Sequence, residues 1–317
     1  MEGVIAALLL PRDNSGRPDW TSFDSTARFI CDVGASGLCV NGATGEYPGM
    51  TPDEHRQVIE RARDAATKPL LVVTGVGASR WDWIVANLRS AEQAGADAVL
   101  APTPHFFKYS PADLEEFYRA VAQESRLPVL IYNLPAFTAG LEPELAHRII
   151  SEVDNIAGVK DSSGRLDLLD RLTRSSSGAV RLVGNDRALP EAIRRGLCGG
   201  VISGVAGVLP ELTLALWKSA EDHATFSNVR MRLESLLAAL DSFPTPWGLK
   251  LIAEVRGLSP AWFPLPLSAE RKAHAVRFQE WIAKWWAESE KDLTRVLGIP
   301  VSFQPKTLCE TAPSHSR

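Results

Sequence analysis

The stretch NIAGVKDSSG, residues 155–164, carries an apolar strand pattern to its end on a lysine. Ile156, Ala157, Gly158 and Val159 read as a short buried strand, and Lys160 is its last residue before the turn signal Asp161, Ser162, Ser163 and Gly164. A surface lysine needs no such setting. A buried amine does, because desolvation disfavours the ammonium form, and the expectation is a neutral nucleophile near neutral pH. Two other apolar runs end on residues able to work with it. SGLCVN leads into Gly42, Ala43, Thr44, Gly45 and Glu46, and PVLI leads into Tyr132, Asn133, Leu134 and Pro135. An amine, a phenol and a Gly/Thr loop with free backbone N–H groups make a nucleophile, a proton shuttle and a carboxylate cradle. Those are the parts of Schiff-base chemistry on a 2-oxo acid.

Chemistry of this kind needs the three strand ends at one mouth. Short apolar runs recur along the chain as VIAALLL, SGLCVN, PLLVVTG, ADAVLAP, PVLIYN, NIAGVK, VRLVGN and GGVIS, separated by helical patterns such as residues 52–66, 81–95 and 111–125. Eight strands alternating with helices predict an α/β fold, a (β/α)8 TIM barrel in preference to an open doubly wound sheet. In such a barrel the loops after the strands share one face, so the lysine, phenol and Gly/Thr loop converge. The barrel is expected over residues 1–221. A three-helix extension follows over 222–299, with helices near 222–241, 246–257 and 268–289, and its Trp247, Trp262, Trp281, Trp285 and Trp286 read as packing residues. Residues 300–317, which mix Pro, Ser, Thr and Lys, are expected to form a mobile tail.

Composition removes several function classes. The chain has 317 residues with 34 Lys plus Arg against 38 Asp plus Glu, and no basic stripe interleaved with aromatics, so nucleic acid is not an expected partner. No run approaches the ~20 apolar residues of a spanning helix, and no membrane partner is expected. The early run from Val4 to Leu10 follows acidic Glu2 and stops at Pro11, which reads as a buried strand in a cytoplasmic protein. Cys31, Cys39, Cys198 and Cys309 form no CxxC pair and the six histidines no HxxxH spacing, so no metal is expected. Gly75, Gly77 and Arg80 give GxGxxR, a dinucleotide fingerprint without its third glycine, and neither a phosphate loop nor a GxSxG elbow is present.

GATGE (42–46) with the helix after it, IYNLP (131–135), GVKDSSG (158–164) and GGVISGVAGVLP (199–210) resemble, in the same order, blocks of the dihydrodipicolinate synthase and N-acetylneuraminate lyase family. The resemblance covers about residues 3 to 290. It implies a (β/α)8 barrel with a helical extension, a homo-oligomer (dimer or tetramer), and no metal or organic cofactor. Residue by residue, it makes Lys160 the Schiff-base lysine and Tyr132 the acid/base. Thr44 and Gly45 would hold the carboxylate of a pyruvate-like substrate. Taken alone, Lys160 reads as a structural lysine paired with a carboxylate and Tyr132 as a core phenol; the resemblance moves both to function.

Departures from the family pattern bear on the substrate. Ala43 replaces the first threonine of GTTGE, and ungapped alignment puts Phe106 where dihydrodipicolinate synthases have a tyrosine reaching from the neighbouring subunit. Phe137 stands where they place an arginine for a carboxylate, and an apolar ring cannot make that bidentate pair. Asn185, Asp186 and Arg187 follow the seventh strand, Ile202 and Ser203 end the eighth, and His105 could face the same opening. For Asn185, Asp186 and Arg187, helix capping competes with ligand contact. The polar groups suit a polyhydroxylated tail, so the leading expectation is a pyruvate-releasing class I aldolase for 2-keto-3-deoxy sugar acids or other 4-hydroxy-2-oxo acids. A dehydratase using the same imine, a dihydrodipicolinate synthase and a non-catalytic 2-oxo-acid-binding protein are the alternatives.

Overall fold

A computed structural model describes residues 1–175 and 178–299. The expected tail, 300–317, lies outside the described residues. Eight strands run in parallel: β1 (Gly3–Ala7), β2 (Gly37–Val40), β3 (Leu71–Gly75), β4 (Ala98–Pro102), β5 (Val129–Asn133), β6 (Ile156–Asp161), β7 (Val180–Val183) and β8 (Gly200–Ser203). Each pairs with the next and β8 closes on β1, giving the expected (β/α)8 TIM barrel. Around it lie α1 (Trp20–Val33), α2 (Pro52–Ala65), α3 (Trp81–Gln93), α4 (Pro111–Glu124), α5 (Pro143–Glu152), α6 (Asp167–Arg174), α7 (Leu189–Arg194) and α8 (Pro210–Lys218). No described helix is long and apolar enough to cross a membrane.

The strands read as continuous apolar runs because both faces are covered, yet their side chains still alternate. Ile5, Ala7, Leu130, Tyr132 and Leu182 fill the barrel interior, while Val4, Ala6, Val129, Ile131 and Val183 join the core beneath the helices. Val159 is on the outer side, so Lys160 turns inward. A bulge keeps it there: the pairing shifts from Val129 opposite Ile156 to Leu130 opposite Gly158, leaving Ala157 as the extra residue. Gly158 is required at that point, since a Cβ would come within 2.0 Å of the Val180 carbonyl oxygen.

The extension comprises α9 (His223–Leu240), α10 (Trp247–Val255) and α11 (Ala269–Leu297). The last helix continues past the expected end at 289 because its apolar period continues: Trp286, Ser289 and Leu293 are almost fully buried. Arg256, just after α10, is fastened to α8 through Glu211 at 2.6 and 2.9 Å, with both side chains 2% exposed. Such a buried, bidentate pair ties the extension to the barrel, and removing one partner costs about 3–5 kcal/mol.

Candidate active site

The centre of the barrel mouth is set by register. Tyr132 on β5 lies opposite Lys160 on β6, and Asn133 lies opposite Asp161. The inward pair does the facing: the Lys160 Nζ sits 4.1 Å from the centroid of the Tyr132 ring, and the two side chains are 4% and 3% exposed. The adjacent pair locks the strand ends. The Asn133 amide donates to Asp161 Oδ1 at 3.0 Å, as does the Ser163 N–H at 2.9 Å, and Asn133 Oδ1 accepts from the Leu141 N–H at 3.1 Å. Burial raises the Asp161 carboxyl above its ordinary range, while these donors pull the other way.

Lys160 departs from one expectation. Burial does disfavour its ammonium, but Tyr132, Cys39 and Asp186 face the amine, and together they raise its pKa above the ordinary lysine value. The amine attacks a carbonyl only in its neutral form. A carboxylate stands close by. Asp186 keeps Oδ1 buried without a hydrogen-bond partner among the described residues, and the Val205 N–H reaches Oδ2 at 3.4 Å. Burial raises its pKa as well, with Ser203, backbone N–H groups and Lys160 opposing.

The Gly/Thr loop is framed by two non-glycine residues in the left-handed region, Asn41 and Glu46, each with φ of 56°. That conformation costs roughly 1–2 kcal/mol per residue and needs support from outside the loop. Asn41 receives it from buried bonds: its amide donates to the His55 carbonyl and to Thr74 Oγ1, both at 3.0 Å. The His55 ring donates through Nε2 to the Gly75 carbonyl at 2.8 Å, and burial lowers its pKa to about 4. Glu46 is held from the extension, where the Lys250 ammonium donates to its Oε2 at 2.5 Å and to the Trp262 carbonyl at 2.9 Å.

A cavity of about 430 Å³ joins these parts. Lys160, Tyr132, Ala43, Thr44, Phe137, Asn185, Asp186 and Ile202 share its wall. Gly45 and Ser203 do not reach it. Gly45 is buried behind the loop, and Ser203 is fully buried with its Oγ accepting from the Ala206 N–H at 2.9 Å. Arg187 turns out to Asp241 at 2.7 Å, His105 stands edge-on to Tyr47 in a neighbouring chamber, and Phe106 is 89% exposed at a φ of 79°.

Several wall residues escaped the sequence reading. Ser162 presents a buried Oγ with no hydrogen-bond partner among the described residues, and Gly184 leaves space for the lysine stem, since a Cβ there would lie 2.8 Å from Lys160 Cε. Ser162 had a signal, standing two residues past Lys160 and so on the same face. The turn between α9 and α10, with Phe243, Pro244, Thr245 and Pro246, closes one side from the extension, and no local pattern announces that role.

A sequence model of the dihydrodipicolinate synthetase family matches residues 1–284. The chain belongs to that family. It is a lyase of the pyruvate-dependent, carbon–carbon bond type that characterises the family. Among its relatives is a 4-hydroxy-tetrahydrodipicolinate synthase of Chelativorans sp. (strain BNC1), 34% identical over 256 residues that make up 78% of this chain and 86% of that one. The crystal structure of a dihydrodipicolinate synthase from Aquifex aeolicus superposes with a TM-score of 0.83 at 28% identity, covering 90% of this chain and 98% of the other. The sialic acid aldolase of Ruminococcus gnavus shares the fold, with a TM-score of 0.80 at 21% identity over 90% and 98% of the two chains.

Proposed function

We propose that the protein is a class I aldolase that makes or breaks the C3–C4 bond of a 4-hydroxy-2-oxo acid through an imine on Lys160. The observation carrying this reading is the inward Lys160 with its Nζ 4.1 Å from the centroid of the Tyr132 ring in the barrel mouth, beside the Thr44 loop. In the cleavage direction the neutral amine attacks C2, and the carbinolamine hydroxyl takes a proton from Tyr132 and leaves as water, giving a protonated imine and a phenolate. Tyr132 moves the proton from the C4 hydroxyl as the C3–C4 bond breaks. The electron pair of that bond passes to the imine as an enamine, and an aldehyde departs. The enamine C3 then takes a proton, and water returns Lys160 and pyruvate.

Support for the finer expectation of a sugar-acid substrate is narrow. Asn185, Asp186 and Ser162 offer polar groups near Lys160, whereas Ser203 is off the wall and Arg187 points outward. The reaction named for the Chelativorans relative is less well supported, because Phe137, 56% exposed at the mouth, offers no cation to a second carboxylate. Dehydration is the second reading, favoured by Asp186, whose raised pKa suits an acid that protonates a leaving hydroxyl. The exposed aromatics Trp81, Trp83, Phe106 and Phe107 support a homo-oligomer, which light scattering would size.

Borohydride trapping with pyruvate, followed by peptide mass spectrometry, tests the central reading. A reduced pyruvyl adduct on Lys160, absent from Lys160→Ala, is the expected result. A folded protein that yields no adduct, or a Lys160→Ala variant that binds pyruvate as tightly as the parent, would leave a non-catalytic binder as the better account. Product analysis on a 4-hydroxy-2-oxo acid then separates cleavage from loss of water.

A further inference from the structure

The Lys160 cavity does not end at Phe137. A second chamber of about 640 Å³ opens beside it, and Ala43, Leu134, Phe137 and Thr245 belong to the walls of both. The remaining walls are largely aromatic and apolar: Tyr47, Pro48, His105, Trp262 and Pro264. His105 stands edge-on to Tyr47 with ring centroids 6.3 Å apart.

The two charged residues in the wall, Arg12 and Glu46, already have partners. Arg12 is bound to Glu54 at 2.6 Å and lies 5.8 Å from the Trp262 ring, and Glu46 is bound to Lys250 at 2.5 Å. A chain of hydroxyls entering here would exchange water for a wall dominated by aromatic and apolar faces and would recover only part of its hydrogen bonds, from groups such as Tyr47, His105 and Thr245. An apolar group would gain contact with Tyr47 and Trp262 and would cover Phe137, which is 56% exposed at the boundary of the two chambers.

We propose that this second chamber receives the distal part of the aldehyde half of the substrate, and that this part is an aromatic ring or a branched alkyl group. The proposal rests on the imine reading above and leaves the bond chemistry where it was. In the condensing direction the enamine carbon of the pyruvyl adduct adds to the aldehyde carbon, whose oxygen takes up a proton. Water then releases the 4-hydroxy-2-oxo acid from Lys160.

The test offers the full-chain enzyme pyruvate together with benzaldehyde, isovaleraldehyde or glyceraldehyde and compares kcat/KM for the three aldehydes. Trapping of the pyruvyl adduct on the unaltered protein is measured first, and its absence removes the imine reading itself. With the adduct present, benzaldehyde or isovaleraldehyde is expected to exceed glyceraldehyde by about tenfold or more. Trp262→Ala, which removes a wall, and His105→Trp, which narrows the chamber, should each lower that ratio by about tenfold. A preference for glyceraldehyde, or a ratio unchanged in both folded variants, overturns the proposal and leaves the imine chemistry standing.

Discussion

Lys250 and Glu46, 204 positions apart in the chain, meet at 2.5 Å beneath the Gly/Thr loop of the mouth. The lysine side chain is 6% exposed and the glutamate 25%, so the pair is largely removed from water. Burial lowers the Lys250 pKa and Arg12 adds to that, while Glu46 opposes both. The extension thus supplies a ligand for the strained end of the loop that would hold the substrate carboxylate. That gives α10 a part in the site as well as in packing.

Lys250→Met is expected to leave Glu46 half-buried without its cation, at a cost of about 2–3 kcal/mol in urea unfolding. With Glu46 released, the loop relaxes from its left-handed conformation and the KM for pyruvate rises more than kcat falls. Pairing the change with Glu46→Gln should restore a good part of the stability, since the orphaned charge is gone. A single variant with unaltered unfolding midpoint and KM would show that the tie has no consequence.

Gly184→Ala tests the space around the nucleophile. The new Cβ would fall 2.1 Å from Ser162 Oγ, 2.8 Å from Lys160 Cε and 3.0 Å from Lys160 Cγ. Lysine and serine are flexible and can give way, so the fold should survive with a small change in melting temperature. The amine cannot move without leaving its place over Tyr132, and a displacement near 1 Å costs about 10²-fold in turnover. Equal kcat in the alanine variant would mean that the lysine stem does not need this position.

His55 predicts a pH dependence of stability. Burial lowers its pKa from 6.5 to about 4, and Nδ1 has no partner while Nε2 donates to Gly75. Between those two values the unfolded chain binds the extra proton, so stability rises with pH through that window. The contribution is complete above pH 6.5 and is lost as pH falls toward 4, in all about 3 kcal/mol. His55→Gln should therefore unfold in urea with a flatter pH dependence between 6.5 and 4 than the parent. Parallel curves for the two proteins would place the acid sensitivity elsewhere.

The barrel and the central pair were legible because strands and their ends are written locally. The apolar runs mark the strands, the turn residues mark their ends, and Lys160 and Tyr132 occupy those ends. The alternation also explains why Ser203 is off the wall: Ile202 faces inward, so the Ser203 hydroxyl lies behind it, against Ala206, Thr213 and the side chain of Asp186. What stayed hidden depends on neighbours distant in the chain. Nothing near Gly184 indicates that the lysine stem needs its space, and nothing near Lys250 indicates that Glu46 awaits it. The surroundings of the Lys160 amine stayed hidden for the same reason, since burial could be read from the strand but the facing Cys39 and Asp186 could not.

Tyr132→Phe separates making the imine from using it. The ring remains, so the cavity wall and the face beneath Lys160 Nζ, 4.1 Å away, are kept. Only the hydroxyl is lost. Pyruvate should still be trapped on Lys160 by borohydride, because carbinolamine formation can proceed with water as the proton carrier. Bond cleavage then lacks its shuttle at the C4 oxygen, and kcat should fall by about 10²–10⁴-fold. The two readouts bear on different claims. Turnover kept at the parent level would remove the shuttle role from Tyr132 and shift attention to Asp186, a carboxyl on the same wall whose Oδ1 is buried without a hydrogen-bond partner among the described residues. Trapping lost together with turnover would instead mean that the phenol is needed for imine formation as well as for bond cleavage.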